Sequence, residues 1–371
     1  MKITTKAMKE LSILIAAVSL MSLLFAACGS NTGGQGNSEI DSAKPTQSIS
    51  STPVPTATTT PVKIDFSKVK PDESGKVMVV MFHNFVQAFK PTQYDDGQYT
   101  TTFDKFRSLL KVLYNKGYRL VSLKDFLDNN ISVPAGFIPM VFTFDDGSSG
   151  QFNLVYEDGK LVVNKNSAVA IMEEFYKEHP DFGLQGTFYV NLGGGTFEGK
   201  GKLSERLKYL IDKGFEVGNH TKTHIDLGQV SSADKVRLEV GGNQKVMYDF
   251  VPGYKMNSLA LPLGNTTSSN LRGLVAKGVY KGIAYNNLAI MEVGWNPTLT
   301  PVNKGYNPLL THRVRATGIK AVDMDLNWWL KNLSRSGQYI SDGNLETISV
   351  PKSKSSSVVR SKLNGKKLNL Y

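Results

Sequence analysis

Apolar positions along the chain fall into three regimes. Residues 11–27 form an apolar run broken only by serines, after a basic stretch that ends at Lys9. Residues 29–61 carry almost no large apolar side chain and are dominated by Ser, Thr, Gly, Asn and Pro, so a flexible tether is expected there rather than a packed core. From Lys76 onward, short apolar runs alternate with stretches in which apolar residues recur at helical spacing. The runs predict strands over 77–82, 118–121, 141–144, 187–190, 215–217, 258–261 and 282–285. Helices are expected over 103–116, where Phe103, Phe106, Leu110 and Leu113 share one side and Gly117 is the stop, and after a Ser122 cap up to residue 129. Further helices are expected over 167–178, 203–213, 233–249, 269–277 and 321–333. Residues 151–165 read as an inserted hairpin turning at Asp158-Gly159.

Repeated βα units imply a parallel sheet covered by helices, and about seven in a row point to an α/β barrel more than to an open doubly wound sheet. No G-x-G-x-x-G follows the first strand, which argues further against a dinucleotide fold. In βα barrels the chemistry gathers at the C-terminal ends of the strands. Reactive side chains fall there in this chain. His83 follows the first strand, Asp145 and Asp146 the third, His220 and His224 the 215–217 run, and His312 the Pro308-Leu309-Leu310 stretch. His179, at a helix end, is read as a solvated capping residue.

Composition changes the picture in two places. With 371 residues, 40% hydrophobic and 20% charged, the chain is an ordinary globular one, but its formal net charge of +11 favours an anionic partner. Nothing resembles a nucleic-acid-binding motif. The N-terminal pattern has the form of a signal peptide over 1–27, with small residues before Cys28, the single cysteine. Phe25-Ala26-Ala27-Cys28 resembles a lipobox, which makes Cys28 the candidate lipidation site and 28–75 the linker. The expectation is an exported lipoprotein on the outer face of a bacterial cell membrane. After Pro351 the tail, 352–371, carries six basic and no acidic residues and is read as solvated.

Two adjacent aspartates at a strand end are costly to bury unless a metal or a shared proton neutralises them; a solvated turn is the alternative. His220 and His224, four apart, can reach one ion from a single turn. With a strand-end aspartate they form a two-His, one-carboxylate set suited to Zn²⁺, with Co²⁺, Ni²⁺ or Fe²⁺ as substitutes.

Together, Thr143-Phe144-Asp145-Asp146-Gly147 and His220-Thr221-x-x-His224 resemble the first two motifs of the NodB-type polysaccharide deacetylases, carbohydrate esterase family four. Gly186-Thr187-Phe188-Tyr189-Val190 and Glu216-Val217-Gly218-Asn219-His220 resemble its neighbouring strands. Met81-Phe82-His83-Asn84 resembles the opening of the subgroup acting on polyglucosamine. The likeness runs from about 76 to 351. It implies a distorted (β/α)7-type barrel and metal-dependent removal of acetyl groups from a polysaccharide: peptidoglycan, poly-N-acetylglucosamine, a chitin-like chain or xylan. Carried over by position, it makes Asp146, His220 and His224 metal ligands and Asp145 the general base, with Thr221 supporting the histidine loop and His83 in a supporting or substrate-binding role.

Two departures follow. Where the family has an arginine that braces the base, this chain has Ala260, and Leu263 replaces an aromatic while keeping its backbone N–H for an oxyanion. The leaving-group acid is expected to be His312, with the neighbouring Arg313 as the other match to that motif. Trp295 is the expected sugar contact, and Trp328-Trp329 are expected to pack in the core. The rival expectation is a catalytically silent wall-binding lipoprotein, which the loss at 260 would suit.

Overall fold

The computed structural model describes residues 64–92 and 95–371; the expected signal peptide, Cys28 and most of the expected linker lie outside the described residues. Eight strands make the central parallel sheet: β1 (Lys76–Phe82), β2 (Tyr118–Leu120), β3 (Ile138–Asp145), β4 (Thr187–Val190), β5 (Glu216–Asn219), β6 (Ser258–Ala260), β7 (Ala289–Met291) and β8 (Val314–Arg315). β1 pairs with β3 from Met78↔Met140 to Phe82↔Phe144. The lower half of β3 pairs with β2 and its upper half with β4. β5, β6 and β7 continue the sheet in that order. β8 lies on the other side of β1, and Thr311, just before it, bridges to Met291 of β7. Residues 311–315 therefore join the two ends of the curl, and the expected α/β barrel is present in distorted form.

Alternation along the strands sorts the core into two layers. Phe82, Phe142, Phe144 and Phe188 point outward and are buried beneath helices; Phe144 stacks on Phe188 at 4.5 Å and Phe82 meets Phe106 edge-on at 5.4 Å. The helices run α1 (Phe66–Val69), α2 (Phe103–Asn115), α3 (Leu123–Leu127), α4 (Ala168–Glu178), α5 (Leu203–Asp212) and α6 (Ala233–Phe250) in chain order. Phe106 comes from α2, whose buried face is the expected Phe103, Phe106, Leu110 and Leu113. The inward layer is smaller: Val79, Val141, Tyr189, Ala260 and Met291 form one buried cluster. The uniformly apolar β1 and β3 are strands buried on both faces.

Several expectations are corrected. The 282–285 run is no barrel strand: Ile283–Asn286 pairs antiparallel with Lys277–Tyr280 as an outer hairpin, and the barrel position belongs to the three-residue β7. Two left-handed residues, Lys281 and Gly282, make its turn. The helices over 269–277 and 321–333 shrink to Arg272–Ala276 and Leu326–Asn332. Asp325 is the buried N-cap of the latter, while Trp328 and Trp329 are half-buried and meet edge-on. His179 caps a helix, as expected, with its ring against Tyr114 and Phe175.

The tail is not solvated. Lys367–Leu370 pairs in parallel with Thr347–Val350, and Val302, Ile348, Val350 and Leu363 form a small buried core. Lys354 pairs with the buried Asp72, and the Tyr371 hydroxyl donates to the Pro71 carbonyl at 2.8 Å. The packed body thus extends beyond 76–351 at both ends. Among the described residues no helix is long and apolar enough to cross a membrane.

Truncation after Pro351 should therefore lower stability by about 3 kcal/mol or more, because Ile348 and Val350 return to water and Asp72 loses its cation. Thermal and urea unfolding of the truncated and full chains check this; equal midpoints would restore the solvated-tail reading.

Candidate active site

The ends of β3 and β5 build the site. β3 delivers Asp145 into the barrel mouth, buried. The chain then turns through left-handed Asp146 (φ 79°) and Gly147 (φ 66°). A methyl group added at Gly147 would lie 2.9 Å from the Thr196 side chain, so glycine is needed both for the turn and for the close approach. Because consecutive side chains in such a turn diverge, Asp146 faces the histidine loop while Asp145 faces the barrel interior.

The Asp146 Oδ1 atom is 3.3 Å from Nε2 of His220 and 3.3 Å from Nε2 of His224. One donor atom from each of the three residues lies within 4.8 Å of the others. Nδ1 of His220 is 2.8 Å from the Ala260 carbonyl, which requires that nitrogen to donate and leaves Nε2 with a lone pair toward the cluster. The donor set suits a divalent metal: bonds of about 2.0–2.1 Å in a tetrahedron give ligand separations of about 3.3 Å. Burial pushes the Asp146 carboxyl up, but its contacts with the two imidazoles outweigh it and hold it well below the usual carboxylate range. The same contact with Asp146 raises His224, against burial.

Asp145 has a different partner. Arg313, fully buried, grips it with two hydrogen bonds of 2.7 Å, Nη1 to Oδ1 and Nη2 to Oδ2. The guanidinium also donates to Thr143 Oγ1 and to the Glu292 carbonyl, so all three of its nitrogens are bonded. Burial works to raise the Asp145 carboxyl, and the Arg313 charge, with the nearby imidazoles, brings it below its ordinary value. A Cβ at Gly294 would lie 1.5 Å from the Arg313 carbonyl; only glycine lets that backbone pass.

A cleft of about 300 Å³ opens over these groups, lined by His83, Tyr99, Asp145, Asp146, His220 and His224, with Leu261, Leu263 and Val293 as its apolar wall. His83 stands edge-on to Tyr99, its Nε2 4.0 Å from Asp145 Oδ2. Burial lowers its pKa, partly countered by Asp145 and Asp146. Gln151 ties the strand ends together by donating to the backbone carbonyls of both His83 and Asp145. Leu263 holds a left-handed φ of 57° on the cleft rim. Thr221 is buried behind the histidine loop, also left-handed, its N–H donating to Asn219 Oδ1.

Two sequence expectations fall outside this set. His312 is half-exposed and pairs through Nδ1 with Glu292 Oε2 at 2.7 Å, and it is not among the described residues that line the cleft. Its neighbour Arg313 points inward because alternate residues of the closing segment face opposite ways. Trp295 is exposed, its carbonyl accepting a hydrogen bond from the Trp329 indole, and it too is absent from the lining. Sequence reasoning missed Arg313 as the brace of Asp145, and Gln151 and Tyr99 altogether.

Residues 134–281, a span that holds both aspartates and both loop histidines, match the family model described as polysaccharide deacetylase. Over that span the chain is similar to polysaccharide deacetylase domains. Among solved structures, a polysaccharide deacetylase from Bacillus cereus is 20% identical, covering 70% of this chain and 69% of that one with a TM-score of 0.51. A Streptococcus pyogenes deacetylase, solved in complex with acetate, is 18% identical over 70% of this chain and 98% of that one, also with a TM-score of 0.51. At such identities the likeness establishes a shared fold. No curated protein matches the chain.

Replacing Arg313 by Gln should leave Asp145 buried without its cation, at a cost of about 3–5 kcal/mol. In the parent the folded-state pKa of Asp145 is depressed, so its contribution is present above the unfolded value and lost as pH falls through the folded one. In the variant burial dominates and the folded pKa rises above the unfolded one, so the variant gains stability as pH falls. Urea unfolding from pH 7 to pH 4 should show the deficit narrowing; a constant deficit would contradict this account.

Proposed function

We propose that the deacetylase domain is a metal-dependent hydrolase that removes acetyl groups, in the first place N-acetyl groups of N-acetylglucosamine-type residues, from a cell-surface or extracellular polysaccharide. The observation that carries this is the division of labour between two adjacent carboxylates in one cleft, Asp145 on Arg313 and Asp146 on two imidazoles. Asp146, His220 and His224 would hold the ion, Zn²⁺ by the chemistry of the donors, with Co²⁺, Ni²⁺ or Fe²⁺ able to replace it. A bound ion of this kind polarises an acyl carbonyl and acidifies water.

The remaining steps belong to the chain's own side chains. Asp145, kept ionised by Arg313, accepts the proton of the attacking water. The Leu263 N–H, on the cleft rim, is offered to the developing oxyanion. As the C–N bond breaks, the departing amine needs a proton. His83 is placed to supply it: it lines the cleft beside Asp145, and burial makes its imidazolium readier to release a proton. This role passes to His83 from His312, which faces Glu292. Leu261, Leu263 and Val293 give the acetyl group an apolar wall.

The Cys28 lipid anchor, the export signal and the tether remain part of the reading on the strength of the sequence pattern alone, and they would place the enzyme on the outer face of the membrane beside its polymer. The silent wall-binding alternative rested on Ala260. Arg313 removes that support by bracing Asp145 from another strand.

Acetate release by the zinc-loaded chain from a panel of peptidoglycan glycan, poly-N-acetylglucosamine, chitin oligomers and acetylated xylan tests the reading. Asp145→Asn should lower kcat by about 10²–10⁴-fold while zinc still binds; Asp146→Ala should lose both zinc and turnover. Stoichiometric zinc with no acetate released from any polymer would refute the enzyme assignment.

A further inference from the structure

Glu239 is a buried carboxylate that takes no part in the mechanism above. It lies on α6 (Ala233–Phe250), outside the cleft lining. Its side chain accepts hydrogen bonds from the Thr223 N–H and the Thr223 hydroxyl, each at 3.0 Å, and from Lys235 Nζ at 2.9 Å. Its backbone carbonyl accepts from the Lys222 N–H at 2.9 Å. One turn further along, the buried Asn243 donates to the Val190 carbonyl and to Asn219 Oδ1, and accepts from the Leu192 N–H. Asn219 Oδ1 in turn receives the Thr221 N–H. Spacing of four puts Glu239 and Asn243 on one face of the helix, and that face is turned to loop 219–224.

A fully apolar face would pack against a barrel at lower cost than a buried carboxylate and a buried amide. These two bond instead to a loop whose shape is unfavourable by itself, since Thr221 (φ 59°) and His224 (φ 54°) are both left-handed without being glycine. From the other side Asn191 donates to the carbonyls of His220 and Thr221. Gly241 on α6 lies so close to the outer hairpin that a Cβ there would sit 2.5 Å from Tyr280, so the helix is held between that hairpin and the loop.

We propose that Glu239, with Asn243, is a positioning residue: it clamps Thr223 so that the two imidazoles stay converged on Asp146 before any metal arrives. The inference rests on the reading of Asp146, His220 and His224 as a metal site. Glu239 touches neither imidazole; it acts through the loop backbone and the Thr223 hydroxyl. Without the clamp, loop 219–224 relaxes toward ordinary backbone geometry and binding the ion must then restore the left-handed turns.

The test is Zn²⁺ affinity, measured by chelator competition on the full chain, for the parent, Glu239→Ala, Thr223→Val and Thr223→Ser, with the melting temperature of each metal-free protein alongside. Glu239→Ala and Thr223→Val should weaken zinc binding by about tenfold or more, and Thr223→Ser, which keeps the hydroxyl, should restore it. Excess Zn²⁺ should return most of the lost turnover, which a damaged fold would not allow. Should Glu239→Ala fail to fold, the two Thr223 variants decide. Parent-like affinity in Thr223→Val, or Thr223→Ser no better than it, overturns the clamp while leaving the metal site standing. A parent chain that binds no Zn²⁺ overturns the metal site and the clamp with it.

Discussion

The ion pair between Arg313 and Asp145 is the constraint on which the rest of the site depends. A carboxylate with almost no solvent contact would be driven to protonate, and a protonated Asp145 could take up no further proton. The fully buried guanidinium removes that penalty by matching both oxygens at once and spending its other donors on Thr143 and the Glu292 carbonyl. A fork-to-fork geometry of this kind offsets desolvation where a lysine would not. The same residue belongs to the segment that joins β7 to β1. The segment that closes the curled sheet therefore also keeps Asp145 ionised, and the close backbone passage at Gly294 serves both.

Around that pair the backbone is strained in one place. Asp146, Thr221, His224 and Leu263 all hold left-handed φ values, at about 1–3 kcal/mol each for such conformations. Asp146, His224 and Leu263 line the cleft, and Thr221 shapes the loop between the two histidines. The surrounding order over-determines them: Gln151 ties the ends of β1 and β3, and Asn191 and α6 hold the histidine loop. The Phe144–Phe188 stack lies directly under the strand ends that carry Asp145 and begin the run to the loop, so the strained layer sits on a rigid one.

What the sequence made legible has a physical pattern. β1, β3 and β4 could be read because strands buried on both faces leave uninterrupted apolar runs, and Asp145-Asp146 and His220-x-x-x-His224 could be read because the members of each pair are close in sequence. Arg313 could not. Its partner is 168 positions away, and a buried arginine beside Thr311 and His312 looks like any polar loop. His312 drew attention for being a histidine after an apolar stretch, and the alternation of a short strand turned it outward. The hairpin over 277–286 took the place expected for β7 because its alternating residues outnumber the three of β7, and Lys281-Gly282 is a weak turn signal. The tail failed for a related reason: Val358, Leu363 and Leu368 are too sparse among serines and lysines to show a period, yet each meets a cluster supplied by distant chain.

The absence of arginine at position 260 illustrates how far a motif can be changed while its physics is kept. What a buried Asp145 needs is a buried, bidentate cation aimed at its carboxylate, and nothing in that requirement fixes the strand it comes from. In this chain position 260 is a small side chain in the inward layer with Tyr189 and Met291, and its carbonyl takes the Nδ1 proton of His220. The charge arrives from the closing segment instead, with Arg313 over the Tyr189 ring at 5.7 Å. Position 260 thus serves the Asp146–His220–His224 cluster through its backbone, and Arg313 serves Asp145. Two neighbouring carboxylates can then share one cleft because each has its own partner, Asp145 the buried Arg313 cation and Asp146 the two imidazoles at 3.3 Å.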